Sequence, residues 1–286
     1  MSQDPSPSVS VIGGGRMGAG IAHAFAVAGC AVTIVEPDAD GRRSALGRIR
    51  KILERAAELA APAEPAAQVM ARIRAVDSAA AIPPESALVV EAVPELPAVK
   101  ANVLSAAERA VGDRCLIASN TSSLSITAMS GTLARPERFL GMHFFNPVPA
   151  STLVEIVTGD PTSSAAVEQA VSWTRLIGKN EIVVRDSPGF ATSRLGVLLG
   201  LEAIRMVEEG VADAASIDRA MELGYRHPTG PLRSTDIVGL DVRLNIADHL
   251  AKALGPRFDP PALLREKVER GELGRKSGQG FYRWDQ

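Results

Sequence analysis

One of the four histidines in this chain stands in a segment whose residue types suit proton transfer. The segment 143–149 reads HFFNPVP, so His143 is followed closely by Asn146, and the carboxylate of Glu155 comes shortly afterwards. Histidine titrates near neutral pH, and it needs a partner that fixes its tautomer and stabilises its charged form. The pattern indicates a histidine base with candidate partners close by in the sequence.

A glycine turn near the start of the chain indicates a nucleotide site. Gly13, Gly15 and Gly18 match the GxGxxG pattern, after an apolar, β-branched run at 8–12 and before a helical pattern over about 17–28. In this context the glycines permit a tight turn, a close approach of the backbone to a pyrophosphate and close packing of helix on strand. The helix N-terminus then attracts the phosphates.

Glu36 follows the next predicted strand, 31–35, about 18 residues beyond the last glycine of the turn. A carboxylate at this point accepts hydrogen bonds from ribose hydroxyls and repels a 2′-phosphate, which favours NAD over NADP. Arg42 and Arg43 lie nearby and could weaken this preference, but we interpret them as a solvated helix face. A nucleotide site and a base in one chain indicate a redox enzyme that removes a proton and a hydride together.

The composition restricts the class of protein. A chain of 286 residues with 46 % apolar residues can form one large domain or two ordinary ones, and its net charge of −2 argues against nucleic acid or an anionic membrane surface as a partner. Cys30 and Cys115 lie in apolar surroundings and are expected to be buried, reduced thiols, which fits a cytoplasmic location. Residues 1–7 are expected to be a disordered lead, and no Cys/His cluster has metal-ligand spacing.

The hydrophobic pattern predicts an α/β fold, with a doubly wound Rossmann-type N-terminal domain and an all-α C-terminal domain. Strands are predicted at 8–12, 31–35, 88–92, 115–119, 153–157 and 181–184, and a helical hairpin at 38–75. After the DSPG segment at 186–189 the pattern is helical, over 190–209, 214–223, 235–254 and 261–270. The predicted domains are therefore 8–185, which would bind NAD, and 186–286.

The chemistry-bearing segments resemble the L-3-hydroxyacyl-CoA dehydrogenase family, which includes the 3-hydroxybutyryl-CoA dehydrogenases. The matching segments are VIGGGRMG at 11–18, VEAVPE at 90–95, SNTSSL at 119–124, HFFNPVP at 143–149, DSPGF at 186–190, GPL at 230–232 and GRKSGQGFY at 274–282. They follow one another in the family's order over nearly the whole chain after the first seven residues.

The resemblance implies a reversible oxidation of (S)-3-hydroxyacyl-CoA to 3-oxoacyl-CoA, in which NAD takes the hydride from C3. His143 would accept the hydroxyl proton and Glu155 would hold its imidazole, while Ser122 and Asn146 would bind the reacting end of the substrate. The cofactor-binding residues would be Gly13, Gly15, Met17, Gly18, Glu36 and Glu95. The resemblance also implies a role in fatty acid metabolism and a homodimer in which the helical domain covers the substrate cleft and forms the dimer interface.

The chain departs from the family pattern at one residue of the expected substrate site. The family has an asparagine near the start of the long helix after the Pro-Gly-Phe turn, where this chain has Ser193. Basic residues that would meet the CoA phosphates crowd the predicted hairpin, and Lys51 is the preferred candidate among Arg48, Arg50, Lys51 and Arg55. Two alternatives therefore stay open: a dehydrogenase of a free 3-hydroxy acid or sugar acid, and a non-catalytic NAD-binding protein.

Overall fold

The computed structural model describes residues 6–59 and 64–285. Most of the predicted lead, at residues 1–5, and the middle of the predicted hairpin, at residues 60–63, lie outside the described residues. The described residues form two compact units, one ending at Asp186 and the other beginning at Ser187. Within the described residues no helix combines the length and the apolar character that crossing a bilayer requires.

The first unit is built on one eight-stranded sheet, as the α/β pattern predicts. Its strands are β1 (Ser8–Ile12), β2 (Ala31–Val35), β3 (Ile73–Val76), β4 (Leu88–Glu91), β5 (Leu116–Ser119), β6 (Phe139–Phe144), β7 (Leu153–Thr158) and β8 (Asn180–Arg185). They lie in the order β3-β2-β1-β4-β5-β6-β7-β8, and neighbours are parallel except for the antiparallel pair β6 and β7. The order reverses between β1 and β4, which is where open α/β sheets bind ligands.

The helices of this unit are α1 (Arg16–Val27), α2 (Ala39–Leu59), α3 (Ala66–Ala71), α4 (Pro97–Ala110), α5 (Ile126–Ser130) and α6 (Ser164–Leu176). Buried side chains of α1, among them Ile21 and Phe25, join the apolar strands in the main core cluster. The ring of Phe25 meets Trp173 of α6 edge to face at 5.9 Å between centroids. The central strands β2 and β4 are mostly apolar and are buried along nearly their whole length, because both faces of the sheet are covered.

The predicted helical hairpin at 38–75 is wrong at its C-terminal end. The segment contains the helices α2 and α3, but residues 73–76 form strand β3, which pairs in parallel with β2. This strand has four residues and carries Arg74 among partly buried neighbours, so its own pattern is too short to distinguish it from a helix end.

The second unit is helical in its regular elements. They are α7 (Thr192–Glu208), α8 (Ala214–Gly224), α9 (Pro231–Val238), α10 (Leu240–Leu254) and α11 (Ala262–Glu269). The single helix predicted over 235–254 is wrong, because Gly239 has a φ of +106° and separates α9 from α10. A positive φ is strained for residues with a Cβ, so the glycine both permits and marks this break. The two helices pack with α7 around a core that includes Leu201, Leu240 and Leu250.

Candidate active site

His143 and Glu155 lie directly opposite each other on the antiparallel strands β6 and β7. The Nδ1 atom of His143 is 3.0 Å from Oε2 of Glu155, and the two side chains are 8 % and 0 % exposed. Side chains that lie directly opposite each other on antiparallel strands are within contact distance. The register of the two strands therefore brings together two residues that are 12 positions apart in the sequence. A carboxylate at Nδ1 holds a proton there and leaves Nε2 as the acceptor nitrogen.

The imidazole of His143 lines a cavity of about 370 Å³. Three of the predicted catalytic residues, Ser122, His143 and Asn146, line it together with two of the predicted cofactor residues, Met17 and Glu95. The remaining lining residues are Ala92, Val93, Asn120, Phe144 and Phe145. The structure therefore brings together residues that the sequence places on four separate segments, while Glu155 supports His143 from within the sheet.

Sequence reasoning missed a buried ion pair close to this cavity. The Nζ atom of Lys100 lies 2.7 and 2.9 Å from the carboxylate oxygens of Glu91, and both side chains are almost fully buried. Ser119 Oγ donates to the same carboxylate at 2.6 Å. Glu91 ends an otherwise apolar buried strand, and a carboxylate in that position needs a cation or several donors. That requirement is the signal from which the pair could have been inferred.

Glu95 connects this ion pair with the loop that carries Ser122. Its Oε2 is 3.1 Å from Lys100 Nζ, and its Oε1 accepts hydrogen bonds from Thr121 Oγ1, from Ser122 N at 3.1 Å and from Ser123 Oγ at 3.0 Å. Burial raises the pKa of Glu95, but the hydrogen bond from Thr121 and the charge of Lys100 outweigh it and hold the pKa below its usual value. An ionised Glu95 thus fixes the Ser122 loop in the cavity wall.

The glycine turn has the shape that a dinucleotide requires. Gly13 has a φ of +105°, and a Cβ on Gly18 would come within 1.9 Å of the Gly13 carbonyl oxygen, so both positions need glycine. A Cβ on Gly15, by contrast, would meet nothing within 4 Å, which leaves the backbone open to a bound group. The N-terminus of α1 begins at the next residue, where its free N–H groups suit phosphates.

Glu36 lies beside this turn. Its Oε2 accepts a hydrogen bond of 2.9 Å from the backbone N–H of Gly14, which holds the carboxylate at the carboxyl ends of β1 and β2. A carboxylate in this place can accept hydrogen bonds from ribose hydroxyls. The open backbone at Gly15, the helix N-terminus and Glu36 together fit NAD.

A second cavity, of about 840 Å³, lies on the side of α1 and α2. Lys51 lines it with Arg16, Arg48 and Arg55, and its apolar wall includes Ile52, Leu59, Pro147 and Val148. Asn146 lines both cavities, so it marks the place where they adjoin. Arg48 also donates a hydrogen bond of 3.0 Å to the Gly14 carbonyl oxygen. Basic groups around an apolar cleft suit a ligand that carries phosphates on an apolar arm.

Ser193 lies in the second unit, in the first turn of α7, and is partly buried. The cysteines at 30 and 115 are buried free thiols, and burial raises their pKa values to about 11 and about 12. In the described part of the chain no group of His, Cys, Asp and Glu side chains has the arrangement of a metal site.

Comparisons with known proteins identify the family of this chain. The family model for the NAD-binding domain of 3-hydroxyacyl-CoA dehydrogenases matches residues 8–187, and the model for their C-terminal domain matches residues 189–284. A 3-hydroxybutyryl-CoA dehydrogenase of Mycobacterium tuberculosis is 39 % identical over 282 residues, which cover 98 % of this chain and 99 % of that protein. A probable 3-hydroxybutyryl-CoA dehydrogenase of Bacillus subtilis is 37 % identical over 97 % of each chain.

A solved structure shows the same likeness in three dimensions. The crystal structure of the (S)-3-hydroxybutyryl-CoA dehydrogenase from Ralstonia eutropha has a TM-score of 0.92 and 36 % identity, over 98 % of this chain and 100 % of that chain. The predicted fold class, the NAD-binding domain and the resemblance are thereby confirmed. With both family models matched over nearly its whole length, this chain belongs to the 3-hydroxyacyl-CoA dehydrogenase family.

Proposed function

We propose that this protein catalyses the reversible, NAD-dependent oxidation of (S)-3-hydroxyacyl-CoA to 3-oxoacyl-CoA. The observation that carries the proposal is the His143–Glu155 pair, whose imidazole opens into a cavity shared with Ser122 and Asn146. The open glycine turn and Glu36 supply a site for NAD in the same unit. The named activities of the relatives, which are 3-hydroxybutyryl-CoA dehydrogenases, support the same reaction.

The protein's own residues handle the proton and the developing charge. When bound, NAD accepts the hydride that leaves C3 of the substrate. His143 Nε2 takes the proton of the 3-hydroxyl, and Glu155 stabilises the imidazolium that results, as a carboxylate does in other His-carboxylate pairs. Ser122 Oγ donates a hydrogen bond to the substrate oxygen as it becomes a carbonyl. In the reverse direction, protonated His143 returns the proton to the ketone oxygen.

The second cavity is the proposed site of the CoA arm. Lys51 lines it, with Arg16 and Arg55 as further cations that can meet phosphates. Asn146, which lines both cavities, would hold the thioester end of the substrate where the two adjoin. Its amide offers both donors and an acceptor, so it can bind the substrate and the nicotinamide at once.

The assembly and the location of the protein belong to the same proposal. We expect a homodimer formed through the helical unit, where large apolar side chains such as Leu195, Leu198 and Val242 are exposed. Sedimentation of the purified protein tests this expectation. A cytoplasmic location is likewise a prediction, and fractionation of cells that produce the protein tests it.

The decisive experiment compares substrates with and without CoA. NADH oxidation is followed with acetoacetyl-CoA and, in parallel, with free acetoacetate. Turnover of the CoA ester alone supports the proposal. Turnover of the free acid alone would favour a dehydrogenase of a non-CoA hydroxy acid, and NADH binding without turnover of either compound would favour a non-catalytic NAD-binding protein.

A further inference from the structure

Two backbone donors hold the carboxylate of Glu36 in one place. Its Oε2 accepts the hydrogen bond of 2.9 Å from the backbone N–H of Gly14, and its Oε1 lies 3.4 Å from the backbone nitrogen of Asp38. One donor belongs to the glycine turn and the other to the segment between β2 and α2. The side chain of Glu36 is partly buried in this position.

Gly41, in the first turn of α2, leaves the space that this side chain occupies. A Cβ on Gly41 would lie 2.8 Å from Cγ, 2.9 Å from Cδ and 3.0 Å from Oε1 of Glu36. Carbon atoms in favourable contact are about 3.5–4.0 Å apart, so a side chain at position 41 would overlap with Glu36 as it now lies. Gly14 also bounds the carboxylate, because a Cβ there would lie 3.2 Å from Cγ and from Oε2.

The backbone around Glu36 is fixed by hydrogen bonds. The N–H of Glu36 donates to the carbonyl oxygen of Val76 at 2.9 Å, and Nη1 of Arg42 donates to the carbonyl oxygen of Glu36 at 2.8 Å. The N–H of Gly41 donates to Oδ2 of Asp38 at 2.5 Å. The side chain of Glu36 can rotate about its own bonds. A methyl group added at position 41 would therefore displace the carboxylate and leave the backbone in place.

We propose that Gly41 is a positioning residue for the cofactor. Because it has no Cβ, the carboxylate of Glu36 can lie against the glycine turn, where it accepts hydrogen bonds from the ribose hydroxyls of NAD. An acidic residue after β2 is thus not sufficient for tight binding of NAD, and the neighbouring helix must also leave room for it. This inference rests on the proposed role of Glu36 in NAD binding, and it does not depend on the acyl substrate.

A double-mutant cycle on NADH binding tests the proposal. The dissociation constant of NADH is measured by fluorescence for the wild type, Gly41→Ala, Glu36→Ala and the double variant. Glu36→Ala is expected to raise it by about 10- to 100-fold and Gly41→Ala by about tenfold, because both remove charge-assisted hydrogen bonds to the ribose. In the Glu36→Ala background, Gly41→Ala should change it by less than about twofold, since the added methyl group then displaces nothing.

Gly47→Ala is the matched control, because a Cβ on this glycine of the same helix would meet nothing within 4 Å. It should keep the NADH affinity of the wild type. Alanine favours a helix more than glycine does, so neither variant should lower the temperature of thermal unfolding. With acetoacetyl-CoA, Gly41→Ala should raise KM for NADH and change kcat by less than about twofold, because the reacting groups at His143 are unaltered.

The possible outcomes separate this inference from the proposed function. If Gly41→Ala binds NADH as tightly as the wild type, or if its effect is equal with and without Glu36, the inference fails and the proposed function stands. If Glu36→Ala leaves the NADH affinity unchanged, the proposed cofactor role of Glu36 fails and this inference fails with it. If the cycle gives the expected result but acetoacetyl-CoA is not turned over, the inference stands and the proposed reaction fails.

Discussion

At the scale of single residues, the His143–Glu155 pair makes the sharpest prediction. The carboxylate of Glu155 contacts Nδ1 of His143. Replacing His143 therefore removes the base, and replacing Glu155 removes the support of the base, while a glutamine at either position leaves no void. His143→Gln is expected to lower kcat by about 10²–10⁴-fold, and Glu155→Gln to lower it within the same range, because general-base catalysis contributes about that much. Steady-state rates with acetoacetyl-CoA, and NADH affinity from fluorescence, measure the chemistry and the binding separately.

The matched control for this pair is His249→Gln, which changes an exposed histidine on α10. It should keep its turnover and its NADH affinity. If His143→Gln kept more than about half of the wild-type kcat, general-base catalysis by this residue would be excluded.

Ser193 makes a prediction about substrate choice. Serine offers one donor where the asparagine of the family offers two, and it fills less space in the first turn of α7. Ser193→Asn is therefore expected to change the ratio of kcat/KM between four-carbon and longer acyl-CoA esters by about tenfold. Ser216→Asn, at an exposed site on α8, is the control. An unchanged ranking of esters would remove Ser193 from the substrate-binding residues.

At the scale of elements, the buried pair of Glu91 on β4 and Lys100 on α4 ties a strand end to a helix. Lys100→Met leaves the carboxylate of Glu91 buried without a cation, which is expected to lower the free energy of unfolding by about 3–5 kcal/mol. The double change Glu91→Gln with Lys100→Met removes both charges and should recover most of that loss. Urea unfolding of the single and double variants measures both effects.

An exposed ion pair provides the comparison. Arg265 and Asp248 lie 2.7 Å apart with side chains 47 % and 37 % exposed, and Arg265→Met should cost less than about 1 kcal/mol. A loss of stability in Lys100→Met no larger than this would mean that Glu91 is satisfied by Ser119 and the backbone alone.

The elements also show what the sequence can predict and what it cannot. The mainly apolar strands β1, β2 and β4 are predictable, because each carries its pattern within itself. The same is true of helix α4, which begins at a proline, and of helix α6, which Ser163 caps. Strand β3 is not predictable, since its four residues form a strand through pairing with β2. The break at Gly239 is not predictable either, because apolar periodicity continues across it. Only the positive φ of Gly239 separates the two helices.

The candidate site likewise has parts that the sequence predicts and parts that it does not. The glycine turn and the His143 segment are local patterns, so the sequence identifies both. The contact of His143 with Glu155 depends on the register of β6 and β7, and the role of Lys100 depends on where α4 lies against β4. Such contacts arise from tertiary packing. In the sequence, their only sign is at most a charged residue in an apolar segment.

At the scale of the whole molecule, the sheet explains why chemistry from distant segments meets at one edge. Strands β1, β4, β5 and β6 run parallel, so their carboxyl ends lie on the same side. The glycine turn follows β1, the Glu95 segment follows β4, the Ser122 loop follows β5, and His143 lies near the end of β6. One topological feature thus assembles a nucleotide site beside a proton-transfer site.

We expect part of the acid sensitivity of the first unit to come from His23, which lines the second cavity but takes no part in the proposed proton transfer. His23 on α1 is 9 % exposed, and neither of its ring nitrogens has a hydrogen-bond partner. Burial, reinforced by the charge of Lys179, lowers its pKa from 6.5 to about 4. The folded protein therefore keeps this ring neutral in a pH range where the unfolded chain takes up a proton.

The difference in the pKa of His23 between the folded and unfolded states determines how acid changes the free energy of unfolding. Above pH 6.5 both states are neutral at His23 and the residue adds no pH dependence. As the pH falls from 6.5 towards 4, the unfolded state binds the proton and the free energy of unfolding decreases, by about 3 kcal/mol in total. His23→Leu removes this titration, so its stability should fall less than that of the wild type over the same range.

Urea unfolding at several pH values, followed by the fluorescence of Trp173, tests this prediction. Trp284→Phe in every variant makes Trp173 the sole tryptophan, so the signal reports on the first unit, where α6 packs against α1. His249→Gln is the control, because it removes an exposed histidine and leaves His23 in place. If wild type and His23→Leu lost stability in parallel on acidification, the acid sensitivity of this unit would have to come from its paired carboxylates instead.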